Sequence, residues 1–588
     1  MACGSLPDVA KALLICRRDR FSPSDEELSR LITSLFPAHI VPRAPSIARA
    51  GGIVSVVANP AASTRRDGVS VALGVIEPDA RWSVPRAPVP DGSFALFRAD
   101  DEHVELVADA SASRTIWYAM TDDLFVASTS QRAVVSVLGD FRPNLEAAAW
   151  LLSSGALGPG RGWDLRVERV PPGGRVLLRR ASWRLEARES AISLEPRGDA
   201  VDPDERGSRL EAIVDDVVSR LDLDYSRWVV PLSGGVDSRG LLLALGRARR
   251  GYDGLRCITW GQRAALDEPG SDARIARELA ERLGVEHDYF VVEATTEPRE
   301  RFLERFLVAG EGRADAIGGY VDGFAVWQRL YAAGAEGVIR GDEAFGWKAV
   351  RNETDVRESV HLTTLEDVCG ERAARELGLL PQRIPEALER RPDESLAMWR
   401  DRLYQQYRLP VMLAALTDLK TSYVEVVNPF LYARVLAYAR ALPDELRTNK
   451  RLWRGMVDAW SPDLRYATRA AVPPPRTLMA DTEMLALMLD ELGSARTAAL
   501  FGGVAAQTVR AALEASMRRS ALIELVSNRS RFGRALRRAK KRFLGRLHVD
   551  SFALAFRMVM AARMCAMLGD DAASWAHRGE VQKISSMK

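Results

Sequence analysis

The segment Trp228-Val229-Val230-Pro231-Leu232-Ser233-Gly234-Gly235-Val236-Asp237-Ser238 constrains this chain more than any other. An apolar run enters a short Ser/Gly loop and leaves it into Arg239 to Arg250, an apolar-rich stretch of helical length. That order predicts strand, tight loop, helix. A loop of this kind presents backbone N–H groups and the positive end of a helix to an anion. The paired glycines let backbone approach a ligand where a Cβ would collide. Ser233 and Ser238 add hydroxyl donors, and Asp237 adds a carboxylate suited to an oxygen-seeking cation such as Mg²⁺.

The rest of the chain supplies two different surroundings. At 588 residues it is too long for one ordinary core, so two or more domains are expected. To about residue 185, short apolar runs are broken by Gly, Pro and Asp: Gly52 to Val57, Val69 to Val75, Ser93 to Phe97, Val104 to Val107 and Leu124 to Ala127. This spacing predicts packed antiparallel strands, with a helix at Leu145 to Ser153. A polar stretch with two prolines, Leu194 to Arg206, reads as a linker. Strands and helices then alternate, which implies a parallel sheet. A strand is expected at Leu255 to Trp260, then a helix at Asp272 to Leu283 capped by Ser271 and ended by Gly284, then a strand at Tyr289 to Val292. Beyond about residue 395 the chain reads as mostly helical. The domains expected are therefore 1–190, 205–475 and 476–588, the last a basic helical extension.

Hydrophobic residues make up 47% and charged residues 27%, with a formal net charge of +3, which argues against a polyanion-wrapping protein. The basic run from Met517 to Arg546 is read as a solvated helix face, and no nucleic-acid partner is expected. No apolar run approaches a membrane span, and the N-terminus is not read as a signal peptide. The five cysteines show no metal or disulfide spacing, so a cytoplasmic location is expected.

A second acidic element should complete a metal site beside the loop, because one carboxylate rarely fixes Mg²⁺ next to a triphosphate. Val338-Ile339-Arg340-Gly341-Asp342-Glu343-Ala344-Phe345-Gly346 is the candidate, again an apolar run ending in a Gly-led acidic pair.

Ser233 to Ser238 resemble the SGGxDS loop of the ATP pyrophosphatase (PP-loop) superfamily, whose members hold the pyrophosphate of ATP while a substrate takes up the AMP. Gly341 to Gly346 resemble the Gly-Ser-Asp-Glu-x-Phe-Gly segment of asparagine synthetases. The likeness to that family extends to Ser271 to Ala276, Leu283 to His287, Asn428-Pro429-Phe430-Leu431 and Leu442 to Leu446. In the N-terminal part it extends to Asp91-Gly92-Ser93-Phe94-Ala95, Asp109 to Tyr118 and Leu124 to Ser128. The fold implied is α/β plus α+β. An N-terminal-nucleophile (Ntn) type αββα sandwich is joined to a Rossmann-like PP-loop synthetase domain with a helical C-terminal region. The cofactors implied are ATP and Mg²⁺. Leu232, Ser233, Gly234, Gly235, Asp237, Ser238, Thr259 and Gly341 would bind the nucleotide. Asp237 and Asp342 would hold the metal, and Asp237, Asp342, Glu343 and Arg469 would be catalytic.

The departures from that family redirect the reading. Its amidotransferases need a first-residue cysteine whose free α-amine acts as base. Here the chain begins Met1-Ala2-Cys3-Gly4, so removal of Met1 leaves Cys3 with an amide, and no Asn-Gly-Glu segment is present. The glutaminase is expected to be inactive. The family's lysine after the Leu-Pro-x-Glu helix is missing from Tyr466 to Pro475. Arg469 is the cation available there, although it stays charged and is a poor proton shuttle. Lys450 lies upstream and is not assigned the role. Arg340 stands near the place of a family glutamate. A synthetase without an ammonia supply takes its amine from the substrate, as the β-lactam synthetases and lasso peptide cyclases do. Gly312 to Asp315, Tyr320, Asp322 to Phe324, Trp327, Trp347 and Pro474 resemble the lasso cyclases most. That branch implies macrolactam formation on a precursor core peptide, with a leader peptidase and a leader-binding protein as further partners. An asparagine synthetase, a β-lactam synthetase and a peptide-binding pseudo-synthetase are the alternatives.

Overall fold

A computed structural model describes residues 10–18, 23–189, 192, 194, 205–342, 344–378, 382–472, 478, 481–527 and 550–586. Among these, the strands form three sheets. The N-terminal strands are β1 Lys11–Arg17, β2 Ser46–Ala50, β3 Ile53–Ala58, β4 Arg65–Asp67, β5 Ser70–Ile76 and β6 Gly92–Ala99. They continue as β7 His103–Ala108, β8 Trp117–Met120, β9 Leu124–Ser128, β10 Glu168–Arg169, β11 Arg175–Arg179 and β12 Arg184–Arg188. They make two six-stranded antiparallel sheets, ordered β10-β8-β9-β1-β3-β2 and β12-β11-β7-β6-β5-β4.

Period-two alternation explains how the sheets stack. Along β1, Leu14 and Cys16 face the second sheet with Leu73, Phe97 and Leu106, while Leu13 and Ile15 face away. That outer face is covered by α1 Asp25–Ser34, α2 Gln131–Leu138 and α3 Leu145–Ser154. Each of the five strands and the helix expected in this region lies within a residue or two of its predicted bounds.

The third sheet comprises β13 Trp228–Pro231, β14 Arg256–Gly261, β15 Glu286–Val291, β16 Gly337–Ile339 and β17 Glu425–Val427. All its pairings are parallel, in the order β15-β14-β13-β16-β17. Helices cover both faces: α4 Glu205–Ser219, α5 Val236–Arg249 and α6 Asp272–Leu283 on one, α7 Arg299–Gly310 and α8 Ala325–Ala332 on the other. The side chains of α6 read as expected, with Ser271 accepting from the Arg274 N–H and Gly284 closing the helix at φ 67°. β17 interrupts a region that reads as helical. Its Glu425-Val426-Val427 is too short to carry a period of its own. Most of the expected linker, residues 195–204, lies outside the described residues.

The order of this sheet reverses at β13, with β14 on one side and β16 on the other. Open parallel sheets form their crevice outside the carboxyl ends of the strands at such a point. Both acidic elements leave their strands there.

The C-terminal helices Thr482–Leu492, Ala495–Phe501, Gly503–Ser527 and Ser551–Ser586 do not form a separate layer. Met484, Met488, Phe556, Val559 and Met560 join the same core as Ile15, Val126 and Phe306. The last helix lies against α2 and α3. Contrary to the sequence expectation, Ser551–Ala576 is long and apolar enough to cross a membrane, but over half of that window is buried in the fold. Its charges are also consumed internally: Arg557 pairs with Asp315, Arg563 with Glu491 and Asp571 with Arg132. Its apolar residues serve the core. Of the basic run, residues 528–549 lie outside the described residues.

Candidate functional site

The loop after β13 is held rigidly from below. Leu241, Leu242 and Leu245 of α5 are fully buried, each contributing roughly 1.5–3 kcal/mol. Within the loop, the Ser233 N–H donates to Ser238 Oγ at 3.1 Å and the Gly235 N–H to Ser233 Oγ at 3.2 Å. The Gly234 N–H donates to Asp272 Oδ1 at 3.2 Å, so a carboxylate of α6 rests on the loop. Burial pushes the Asp272 carboxyl above its ordinary range, against the N–H groups of Gly234 and Ala471. One of the paired glycines, Gly234, has a cause other than ligand approach. A Cβ on Gly234 would stand 2.4 Å from the Ala467 Cβ, so this glycine admits another protein segment, and its carbonyl accepts from the Ala467 N–H.

A cavity of about 520 Å³ opens over the loop. Leu232, Ser233, Gly235, Asp237, Ser238, Thr259, Gly341 and Asp342 all line it. Gly234 does not, being turned to Asp272 and Ala467. Thr259 is fixed by donating to the Leu232 carbonyl at 2.6 Å, and its hydroxyl meets His287 Nε2 at 2.9 Å. Gly341 is required by close approach, since a Cβ there would lie 2.8 Å from the Asp237 carbonyl oxygen. This contact sets the two acidic elements side by side.

Asp342 accepts from Arg340 at 2.9 Å and from the Asn428 side-chain amide. Asp237 is paired with Lys450. The structure thus places Lys450, which the sequence reading passed over in favour of Arg469, beside the loop. Arg469 pairs with Glu268, its side chain is 60% exposed, and it does not line the cavity. Lys450 is brought in by a left-handed turn, Asn449 and Lys450 both having φ 57°. Glu343, Cys3 and Pro474 lie outside the described residues.

The aromatic cluster divides. Tyr320, Phe324 and Trp327 are core residues, with Tyr320 and Phe324 ring centroids 4.4 Å apart. Arg313 and Asp315 tie elements together, Arg313 to Asp418 and Asp315 to Arg557. Trp347 lies behind the cavity wall, its ring 5.1 Å from that of Tyr404, which lines the cavity.

No known protein family and no curated protein matches the chain. Among solved structures it is similar to a glutamine phosphoribosylpyrophosphate amidotransferase from B. subtilis complexed with ADP and GMP. That likeness has 9% identity and a TM-score of 0.20, over 58% of this chain and 83% of the other. At that score it carries no argument about fold or site.

Chemically, the cavity joins an amide- and hydroxyl-rich loop, a helix N-terminus and two carboxylates. Mg²⁺ beside a polyphosphate takes one or two carboxylates and completes its shell with phosphate oxygens and water, so Asp237 and Asp342 fit it. The loop and the start of α5 fit a phosphate chain. Sequence reasoning missed Asp272, Asn428, Lys450, Trp260 and Arg408 as members or neighbours of the site. Asn428 sits in a segment whose resemblance drew attention to its helix and not to its side chain. The others carry no local signal.

Proposed function

We propose that this protein is an ATP-dependent amide-bond-forming enzyme that closes a macrolactam ring in a precursor peptide. The observation that carries the reading is the shared cavity of the Ser233–Ser238 loop and the Asp237 and Asp342 carboxylates at the switch point of a parallel sheet. In this reading the parallel-sheet domain is a PP-loop synthetase, and the N-terminal double sheet is an Ntn-type αββα sandwich that has lost its glutaminase role. Its location is cytoplasmic.

The loop amides and α5 bind the phosphates of ATP, and Lys450 offsets their charge. Asp237 and Asp342 would hold Mg²⁺, which would supply charge neutralisation for the phosphates. An Asp or Glu side-chain carboxylate of the peptide attacks the α-phosphorus, giving acyl-AMP and pyrophosphate. The peptide's N-terminal amine then attacks the acyl carbon, releasing AMP and a proton. The apolar wall of Met412, Leu413 and Leu416 excludes water that would hydrolyse the acyl-adenylate.

The test is purified protein with ATP, Mg²⁺ and a leader-free precursor peptide encoded near this gene. The product should be lighter by one water, with AMP formed in step and no need for glutamine or ammonium. N-terminal acetylation of the peptide should abolish ring closure, because an amide nitrogen is a poor nucleophile. Asp237→Asn should lower pyrophosphate release about 100-fold or more without unfolding the protein. A requirement for glutamine, or cyclisation of the acetylated peptide, would refute the reading.

A further inference from the structure

Facing the loop across the cavity is an unusual piece of chain. Residues Tyr404–Leu413 form a π-helical stretch containing Pro410. Such wide turns are rare and recur at functional sites, since they shift side chains off the ordinary helical register. Here the stretch puts Tyr404, Arg408, Met412 and Leu413 into the cavity wall.

Arg408 stands out among them. Its guanidinium lies 5.4 Å from the Trp347 ring and 6.0 Å from the Tyr404 ring. The indole is itself fixed by donating to the Ser359 carbonyl at 3.3 Å, and it also lies 5.8 Å from Lys450 Nζ. The guanidinium is thus within cation–π range of two aromatic rings, next to the cation that pairs with Asp237. Yet Arg408 Nη1 is buried with no hydrogen-bond partner. Arg340, the other cation of the cavity wall, is paired with Asp342. Among the described residues, Arg408 has no carboxylate partner.

A buried donor on a charged group costs free energy unless an acceptor reaches it. A guanidinium is also a planar fork matched to two oxygens of one oxyanion. We infer that Arg408 is the receptor for a carboxylate of the second substrate, held across the cavity from the phosphate loop. The inference rests on the proposed synthetase reading and adds to it the group that orients the acid. Met412, Leu413 and Leu416 beside it suit the methylene stem of an acidic side chain. Arg408 is a binding residue here. It need not exchange a proton, and it stays charged throughout.

The same chemistry would serve a nucleotide phosphate, so the experiment separates the two. Arg408→Met keeps the apolar stem and removes the fork, while Arg408→Lys keeps charge without the fork. Calorimetry measures Mg·ATP binding alone, and then glutarate binding with a non-hydrolysable ATP analogue present. Glutarate is the probe because it carries a carboxylate on a stem like that of glutamate. Melting curves confirm that both variants are folded. The inference expects wild-type glutarate binding to weaken at least tenfold in Arg408→Met, with partial recovery in Arg408→Lys and Mg·ATP affinity unchanged. Weakened Mg·ATP binding with unchanged glutarate binding would assign Arg408 to the phosphates and overturn it. So would absence of glutarate binding to the wild type, or equal binding to all three proteins. These readouts need no turnover. Failure of ring closure with intact glutarate discrimination would therefore sink the synthetase reading and leave the carboxylate receptor standing.

Discussion

Two sets of polar groups in this molecule are partnered in opposite ways. One set, in the N-terminal double sheet, is closed on itself. Asp109 accepts from the N–H groups of Phe94 at 2.9 Å, Ser111 at 2.9 Å and Ser113 at 3.2 Å. Arg98 donates to Glu105 at 3.2 Å and to the carbonyls of Trp82, Ala87 and Pro88. In the parallel-sheet half, Asp237, Asp342, Asp272 and Arg408 border a cavity instead. A buried polar group whose partners are all local is a structural part. One that borders an open volume is available to a ligand, and pays in stability for being so.

The largest effect expected from this contrast is on the closed side. Asp109→Ala strands several buried N–H groups and should destabilise the protein by about 3–5 kcal/mol in urea unfolding. A loss under about 1 kcal/mol would mean the N-terminal network is not structural. Nucleotide affinity of the folded fraction should be unchanged.

The next effect separates the two cations. Lys450→Met removes the ammonium beside Asp237 and should lower pyrophosphate release about 100-fold. Arg469→Ala breaks only an exposed ion pair with Glu268, worth about 0–1 kcal/mol, and should change turnover by less than about twofold. Reversed sensitivities in steady-state kinetics would return the catalytic role to Arg469.

The smallest effect concerns Asp272. Its folded carboxyl titrates above its unfolded value because of burial, so the neutral form favours folding. Stability from this group is present below the ordinary carboxylate range and is lost as pH rises through the raised value. Asp272→Asn should therefore raise the melting temperature slightly at pH 7, with the gain shrinking towards acid pH. A gain that does not vary with pH would remove this carboxyl as its source. The same substitution should tighten inorganic pyrophosphate binding several-fold, since a competing negative charge leaves the cavity wall.

Much of the scaffold was legible because its signals are local. The apolar runs of β3, β5 and β9, the Ser271 cap and Gly284 end of α6, and the strand–loop–helix at Trp228 to Ser238 are each written within a few neighbouring residues. The loop's acidic partner was legible for the same reason: Gly341-Asp342 repeats the pattern of an apolar run ending in a turn. Residues that converge from distant segments were not. Lys450 reaches Asp237 through a left-handed turn, Asn428 reaches Asp342 from the end of β17, and Arg408 enters the cavity on a π-helical register. The C-terminal helices looked like a basic extension because the Lys/Arg run from Met517 to Arg546 dominated that reading over the strongly apolar Ser551–Ala576. By itself the sequence determined which loop can cradle a phosphate chain and which sheet presents it, since backbone geometry and side-chain period are short-range properties. Which cation faces Asp237, why Gly234 must lack a side chain, and where an unpaired guanidinium waits were decided only by tertiary packing, because those contacts join residues about 60 to more than 200 positions apart.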